Sequence, residues 1–181
     1  MTHVQSDMAS DIPTIPGTPF GGGFYAGRFL LDDRLNALIV APKSEGEADL
    51  KWKTRNSSTD GARSRRDGMA NSAAMANANH PAAAFCRDLK IGGFEDWYLP
   101  SRHEAALLAE VFMPGEGYVP EQTVAESFKE GEAEAFDRTW YWTSTEFSAG
   151  SAWLQGFGDG AQASNSKDSS FRVRAVRKCQ I

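Results

Sequence analysis

The side chains best suited to chemistry are few in this chain and lie far apart. The chain has three histidines. His3 is near the start of the chain, His80 precedes a proline, and His103 is in the first turn of a predicted helix. None is grouped with cysteines or carboxylates at the spacing that metal ligands need. The sequence therefore predicts no metal site, and we expect no cofactor.

The two cysteines, Cys86 and Cys179, are too far apart for a zinc-ligand pair or a Cys-x-x-Cys redox motif. One interpretation is that both are buried free thiols. The other is a bond across the fold, which requires that the protein ends up outside a cell.

Motifs for nucleophilic catalysis and phosphate binding are missing from the sequence. There is no Gly-x-Ser-x-Gly elbow and no Cys/His dyad signature. The run Gly21-Gly22-Gly23 precedes a predicted strand and lacks the Lys and Ser/Thr of a phosphate loop. We therefore predict no catalytic residue and no enzymatic activity.

The segment from residue 146 to 170 is instead typical of a binding surface. It carries many short polar side chains, which lose little conformational entropy when they hydrogen-bond a ligand. Trp153 lies among them, and an indole offers a flat amphipathic face to a sugar ring or a protein. The alternative is that these residues form ordinary turns around a buried Trp142 and Trp153. The expected ligand-binding residues are Glu146, Ser148, Trp153, Gln155, Asp159, Gln162, Asn165, Lys167 and Asp168.

Composition and charge limit the classes of partner. At 181 residues the chain suits one domain, with residues 20–181 forming it. The net charge of −5 argues against nucleic-acid binding, and we interpret the basic run at residues 63–66 as a solvated loop. No apolar run approaches the ~20 residues of a membrane helix, and the first residues do not form a secretory signal. We expect no membrane insertion.

Residues 1–19 are predicted to form an extended N-terminal arm. Three prolines, Pro13, Pro16 and Pro19, favour a polyproline-like path without a packed element. The arm is either a disordered terminus or a strap that becomes ordered on a partner.

Hairpins and helices are predicted to position the binding segment. Two runs joined by Asp32-Asp33-Arg34 predict a β-hairpin over residues 24–41, and the turn at Gly158-Asp159-Gly160 predicts a second one over residues 152–166. Residues 43–66 are predicted to be irregular, with Trp52 as an anchor in the core. Residues 171–179 predict one final strand, at an edge or half-buried.

Three helices complete the prediction. Two consist largely of small residues and cover residues 67–79 and 81–89. The third begins at a capping box formed by Ser101 and Glu104 and runs to Phe112. Because capping explains Glu104 fully, we do not assign it a catalytic role.

Four sequence blocks resemble the Lcl C-terminal domain family, which shares the C-type-lectin-like fold with the formylglycine-generating domains. They are Gly92–Glu104, Tyr141–Glu146, Ala152–Phe157 and Val173–Arg177. The resemblance covers about residues 24–179, and residues 26–42 are similar to versions carried on bacteriophage and prophage genomes. It implies an α+β, C-type-lectin-like fold, with two helices packed on twisted antiparallel β-sheets and with neighbouring N- and C-terminal strands.

The resemblance also bears on the cysteines and on calcium. In C-type lectins a disulfide commonly joins the first helix to the last strand, and Cys86 and Cys179 occupy comparable elements, so a bond between them is implied as a candidate. The Glu-Pro-Asn, Gln-Pro-Asp and Trp-Asn-Asp blocks of calcium-dependent sugar binders are absent, which argues against calcium-mediated binding. The cysteine pair of the formylglycine-generating enzymes has no counterpart either.

These observations lead us to expect a non-enzymatic bacteriophage virion protein at a tail tip, fibre or baseplate. The arm would contact other virion proteins, residues 146–170 would bind a host surface protein or glycan, and the chain would form a homo-oligomer. One alternative is a structural decoration or tail-assembly protein without a receptor role. An enzyme of the formylglycine-generating type is the third hypothesis, and for it we expect no turnover.

Overall fold

Two β-sheets and four helices make up the residues that the computed structural model describes, 12–115 and 121–181. The fold is therefore of the mixed α+β class. The helices are α1 (Lys43–Gly46), α2 (Gly68–Ala74), α3 (Pro81–Arg87) and α4 (Arg102–Phe112), with a 3-10 turn at Glu126–Phe128. The strands are β1 (Pro19–Phe20), β2 (Gly23–Leu31), β3 (Arg34–Val40), β4 (Glu47–Lys51), β5 (Trp140–Glu146), β6 (Ser151–Gly156), β7 (Gln162–Ser166), β8 (Ser170–Arg174) and β9 (Val176–Gln180).

The first sheet has the strand order β1-β2-β3-β9 and contains the predicted first hairpin. Because Leu31 pairs directly with Arg34, the loop of this hairpin consists of Asp32 and Asp33 alone. Both residues have positive φ. Two left-handed residues give the turn a twist that matches the flanking strands, and Asp tolerates this conformation better than most residues. The last strand, β9, pairs with β3, whereas the first strand, β1, lies at the opposite edge of this sheet.

The second sheet has the order β4-β8-β5-β6-β7 and contains the predicted hairpin of β6 and β7. Strands β5 and β8 run parallel, so this sheet is mixed rather than purely antiparallel. The prediction of an irregular segment is wrong for residues 43–51, which form α1 and β4. Trp52 is an anchor as expected: it is fully buried, and its indole N–H donates to the Thr143 carbonyl at 2.8 Å.

The prediction of one final strand is wrong, because residues 170–180 form two strands in different sheets. The chain crosses between the sheets at Ala175, whose N–H donates to Gly46 O and whose carbonyl accepts from Ala41 N–H, each at 2.9 Å. Strand β9 is an edge strand, whereas β8 lies between β4 and β5. Arg174, at the end of β8, is buried among Glu47 and Glu134, with which it forms ion pairs.

Helix α4 begins as its sequence predicts. The Ser101 hydroxyl accepts the Glu104 N–H at 3.3 Å, and the Glu104 carboxylate accepts the Ser101 N–H at 2.8 Å. The apolar face of α4 includes Phe112, whose ring packs against Phe128 and Phe136 in the core. Trp52, Trp97 and Trp142 occupy a separate core cluster, so these indoles act as internal scaffolding.

The end of the predicted arm is joined to the first sheet. Gly17 N–H donates to Tyr25 O at 2.8 Å, Tyr25 N–H donates to Thr18 O at 2.9 Å, and Pro19 pairs with Phe24. Residues 17–19 therefore pack on the domain, while residues 1–11 of the arm lie outside the described residues. Within the described ranges, no helix has the length and apolar character to cross a membrane.

Candidate ligand-binding site

Three of the nine expected ligand-binding residues lie inside the fold. Glu146, Gln155 and Lys167 are 4%, 1% and 0% exposed. Each makes several hydrogen bonds to neighbouring parts of the chain. The expectation that these three side chains form a binding surface is therefore wrong.

Lys167 and Glu146 hold two loops against the second sheet. The Lys167 ammonium lies 2.5 Å from Glu146 Oε1 and donates to the carbonyls of Ser57 and Ala149, each at 2.9 Å. Glu146 also accepts the Thr59 N–H and the Arg63 Nε–H, both at 2.8 Å. Burial alone would raise the pKa of Glu146, but these donors together hold its pKa below the ordinary value of 4.5. A lysine is rarely buried unless it is paired in this way.

A second buried network lies beside this ion pair. Lys53 donates to the Thr59 hydroxyl at 2.9 Å, and that hydroxyl lies 2.9 Å from His80 Nε2. His80 Nδ1 lies 2.8 Å from the Asn77 side-chain oxygen, which assigns the proton to Nδ1 and leaves Nε2 as an acceptor. Burial, with the charges of Lys53 and Lys167, lowers the pKa of His80 to about 4. His80 is therefore neutral at pH 7 and serves the packing of this loop.

Gln155 fixes the hairpin turn and the position of Gln162. Its amide nitrogen donates to Gly160 O at 3.1 Å, and its amide oxygen accepts from Gln162 Nε2 at 2.9 Å. Gln162 in turn donates to the Arg102 carbonyl at 2.9 Å and accepts the Arg102 Nε–H. Gln155 is thus a buried residue that holds Gln162 in position beside Arg102.

The remaining expected residues lie on the surface but do not form one cluster. Ser148 lies in the turn before β6, where its hydroxyl bonds Ser151 at 2.6 Å. Asn165 and Asp168 are exposed and bond locally around Ser166. Asp159 lies in the turn at the opposite end of the hairpin and accepts the Ala161 N–H. Trp153 and Gln162 are half-buried, and each contacts Arg102.

The structure places Arg102 and Phe147 against Trp153. The Arg102 guanidinium lies 3.6 Å from the centroid of the Trp153 ring. The Phe147 ring meets the same indole edge-on, with centroids 4.9 Å apart, and is 53% exposed. We call Arg102, Phe147, Trp153 and Gln162 the Arg102–Trp153 face. Sequence reasoning missed Arg102, since only the fold brings α4 onto β6, and the one local signal for Phe147 was a large apolar residue next to a turn.

Two further arginines, Arg65 and Arg66, lie beside this face. Arg65, Arg66, Arg102 and His103 line a cavity of about 320 Å³ that Gln162 also borders. Burial and the nearby Arg65 charge lower the pKa of Arg102, and burial and Arg66 lower that of His103. A basic area is thus concentrated on a chain whose net charge is −5. The three arginines of the run at residues 63–66 are exposed, as expected, and Arg65 and Arg66 contribute to a larger basic surface.

Neither cysteine belongs to the Arg102–Trp153 face, and the described residues place no cluster of metal ligands there. Both cysteines are free, so the bond between Cys86 and Cys179 that the resemblance implied is not formed. Cys86 is enclosed in the tryptophan core and burial raises its pKa strongly, which leaves a poor nucleophile. Across residues 12–115 and 121–181, no three His, Cys, Asp or Glu side chains group as metal ligands would.

Comparison with known proteins gives one match. The family model of the Lcl C-terminal domain matches residues 44–177, which include β4 to β8, helices α2 to α4 and the whole Arg102–Trp153 face. A search of curated proteins found no match. Since the match covers well over half of the sequence, the chain belongs to the Lcl C-terminal domain family.

Proposed function

We propose that this chain is a non-enzymatic recognition module that binds an anionic group on a host surface molecule through the Arg102–Trp153 face. The observation that carries the proposal is the stacking of Arg102 on Trp153 at 3.6 Å, with both residues partly exposed. Such a contact fixes a guanidinium in place before a ligand arrives. A preorganised side chain loses less conformational entropy on binding.

The chemistry of the guanidinium favours an anionic ligand. It has five N–H donors, of which Gln162 accepts the one on Nε. Its planar fork matches the oxygens of a carboxylate, phosphate or sulfate group. Arg65 and Arg66 add positive charge nearby, and Phe147 and Trp153 supply flat apolar contacts beside it. Host surface proteins and acidic glycans both carry suitable groups.

We further propose a C-type-lectin-like arrangement and a virion setting. Pairing of β3 with β9 and the short helices packed on the sheets are compatible with such a fold. The virion setting rests on the similarity of residues 26–42 to phage-borne versions of this domain. In that setting, the N-terminal arm contacts other virion proteins, and homo-oligomers present several copies of the face to a host cell.

Adsorption to bacterial cells tests this function. The labelled chain is mixed with a panel of bacterial strains, together with the variants Trp153→Ala and Arg102→Gln. Lys90→Gln is the matched control, because Lys90 is an exposed cation that pairs with Glu95 away from the face. We expect both face variants to lose adsorption and the control to retain it. If all three variants adsorb like the unmodified chain, the proposal is wrong.

A further inference from the structure

A groove beside the turn of the β6–β7 hairpin is separate from the Arg102–Trp153 face. It consists of two adjoining cavities, of about 340 and about 500 Å³, that share Arg138, Thr139 and Trp140. We call it the Trp140 groove. None of its lining residues belongs to the Arg102–Trp153 face, and only Asp159 was expected from the sequence to bind a ligand.

The groove extends across four neighbouring strands. One cavity is bordered by Gly156, Gly158 and Asp159, at the end of β6. The other is bordered by Asp49 of β4 and by residues 170–172 of β8. The strand order β4-β8-β5-β6 places these walls side by side, so the groove spans roughly 14 Å at the usual strand spacing. An elongated ligand fits this shape better than a compact one.

Trp140 provides a fixed aromatic surface in the groove. It is half-buried and packs on the tryptophan core, and it pairs with Gly156 across the β5–β6 ladder. A Cβ atom at position 156 would lie 3.2 Å from the Trp140 ring and 2.7 Å from Asp159 Oδ1. Glycine is therefore needed there for the indole and the Asp159 carboxylate to lie as they do.

The charges along the groove are largely balanced. Asp137 pairs with Lys43 at 2.7 Å and with Arg172 at 2.8 Å, and Arg138 lies 3.6 Å from Glu130. A charged ligand would have to compete with these ion pairs. An uncharged ligand rich in hydroxyl groups could donate to exposed carboxylates such as Asp49 and Asp159 and accept from Arg138 or Thr139. It could also lay an apolar ring face on the indole.

From this arrangement we propose that the Trp140 groove binds a neutral linear oligosaccharide, independently of the anionic ligand of the Arg102–Trp153 face. The indole takes the face of one sugar ring. The carboxylates and guanidinium groups on both sides bond its hydroxyls and those of the adjoining rings.

NMR titration of the full chain tests the proposal, with cellohexaose and maltohexaose as probes and the tryptophan indole N–H signals as the readout. We expect at least one probe to shift the Trp140 signal and the backbone signals of Thr139 and Gly158, and to leave the Trp153 signal in place. Trp140→Ala should weaken this binding about tenfold, as removal of a central aromatic contact does. Gly156→Ala should weaken it too, by displacing the indole.

Two further variants keep the test decisive. Asp49→Ala changes an exposed side chain and should weaken binding about threefold even if Trp140→Ala does not fold. Trp153→Ala should leave oligosaccharide binding unchanged. The proposal is overturned if neither probe shifts the Trp140 signal at about 10 mM, a concentration that detects even millimolar affinity. It is also overturned if the shifts occur at Trp153 instead.

Discussion

The Lys167 ammonium and the Glu146 carboxylate form a buried ion pair of 2.5 Å. Lys167 is bonded to carbonyls of two loops, at Ser57 and Ala149, and thereby acts as an internal cation that joins them. Phe147, in the same loop as Ala149, packs on Trp153. The buried pair therefore supports the surface that we propose to bind a ligand.

Removing the Lys167 charge should destabilise the fold strongly. In Lys167→Met, the Glu146 carboxylate remains buried with one fewer partner, and loss of one member of a buried pair costs about 3–5 kcal/mol. The measurement is the free energy of unfolding in urea. Lys90→Met, at an exposed ion pair, is the control and should change it by less than about 0.5 kcal/mol. Equal losses for the two variants would show that the buried pair has no special role.

Stability should fall as the pH is lowered from 6.5 to 4. The unfolded chain binds a proton at His80 near pH 6.5, whereas the folded chain does so only near its pKa of about 4. Protons therefore favour the unfolded state across this range, by up to about 3 kcal/mol for this residue. Glu146, whose folded pKa is depressed, adds a further loss as the pH falls below its ordinary value of 4.5. An NMR titration that gives His80 a pKa above 6 in the folded chain would contradict the His80 part of this account.

Glu104 should act through hydrogen bonds rather than through its charge. It accepts the Tyr98 O–H at 2.6 Å, the Ser101 N–H at 2.8 Å and the Gly68 N–H at 3.1 Å, and burial raises its pKa. Glu104→Ala leaves these three donors unpaired and should cost about 3 kcal/mol or more. Glu104→Gln retains an acceptor and a donor, so it should cost about 1 kcal/mol or less. Urea unfolding compares the two, and similar costs would indicate that the charge matters.

The two thiols should differ in reactivity. Cys86 is fully buried, while Cys179 is half-buried at an edge strand, and burial raises the pKa of both. In the folded chain, we expect a thiol reagent to label Cys179 slowly and Cys86 only after unfolding. Mass spectrometry of the labelled chain without reductant measures this. A chain that takes up no label even when unfolded would instead contain a disulfide.

The elements predicted correctly are those that depend on local chemistry. Asp32 and Asp33 favour a tight turn, the Asp159-Gly160 pair favours another, and the Ser101–Glu104 capping box lies within one helical turn. In each case the residues that decide the structure are close in the sequence.

The features that were missed depend on distant contacts. Strand β4 is too polar to be recognised before its pairing with β8 is known, and the division of β8 from β9 at Ala175 follows from bonds to residues 41 and 46. Lys167 resembles a surface lysine until Glu146 is placed beside it. The contact of Arg102 with Gln162 joins residues 60 positions apart, so the sequence could suggest Trp153 and Gln162 but not their cationic partner.

The central claim is that Arg102 and Trp153 together recognise an anionic group, and titration calorimetry with dextran sulfate tests it most directly. We predict that the chain binds this polymer, that added salt weakens binding, and that Arg102→Gln and Trp153→Ala each reduce the affinity about tenfold or more. Lys90→Gln, which removes the same charge elsewhere, should bind like the unmodified chain. Equal affinities for Arg102→Gln, Trp153→Ala and the Lys90→Gln control would contradict the claim.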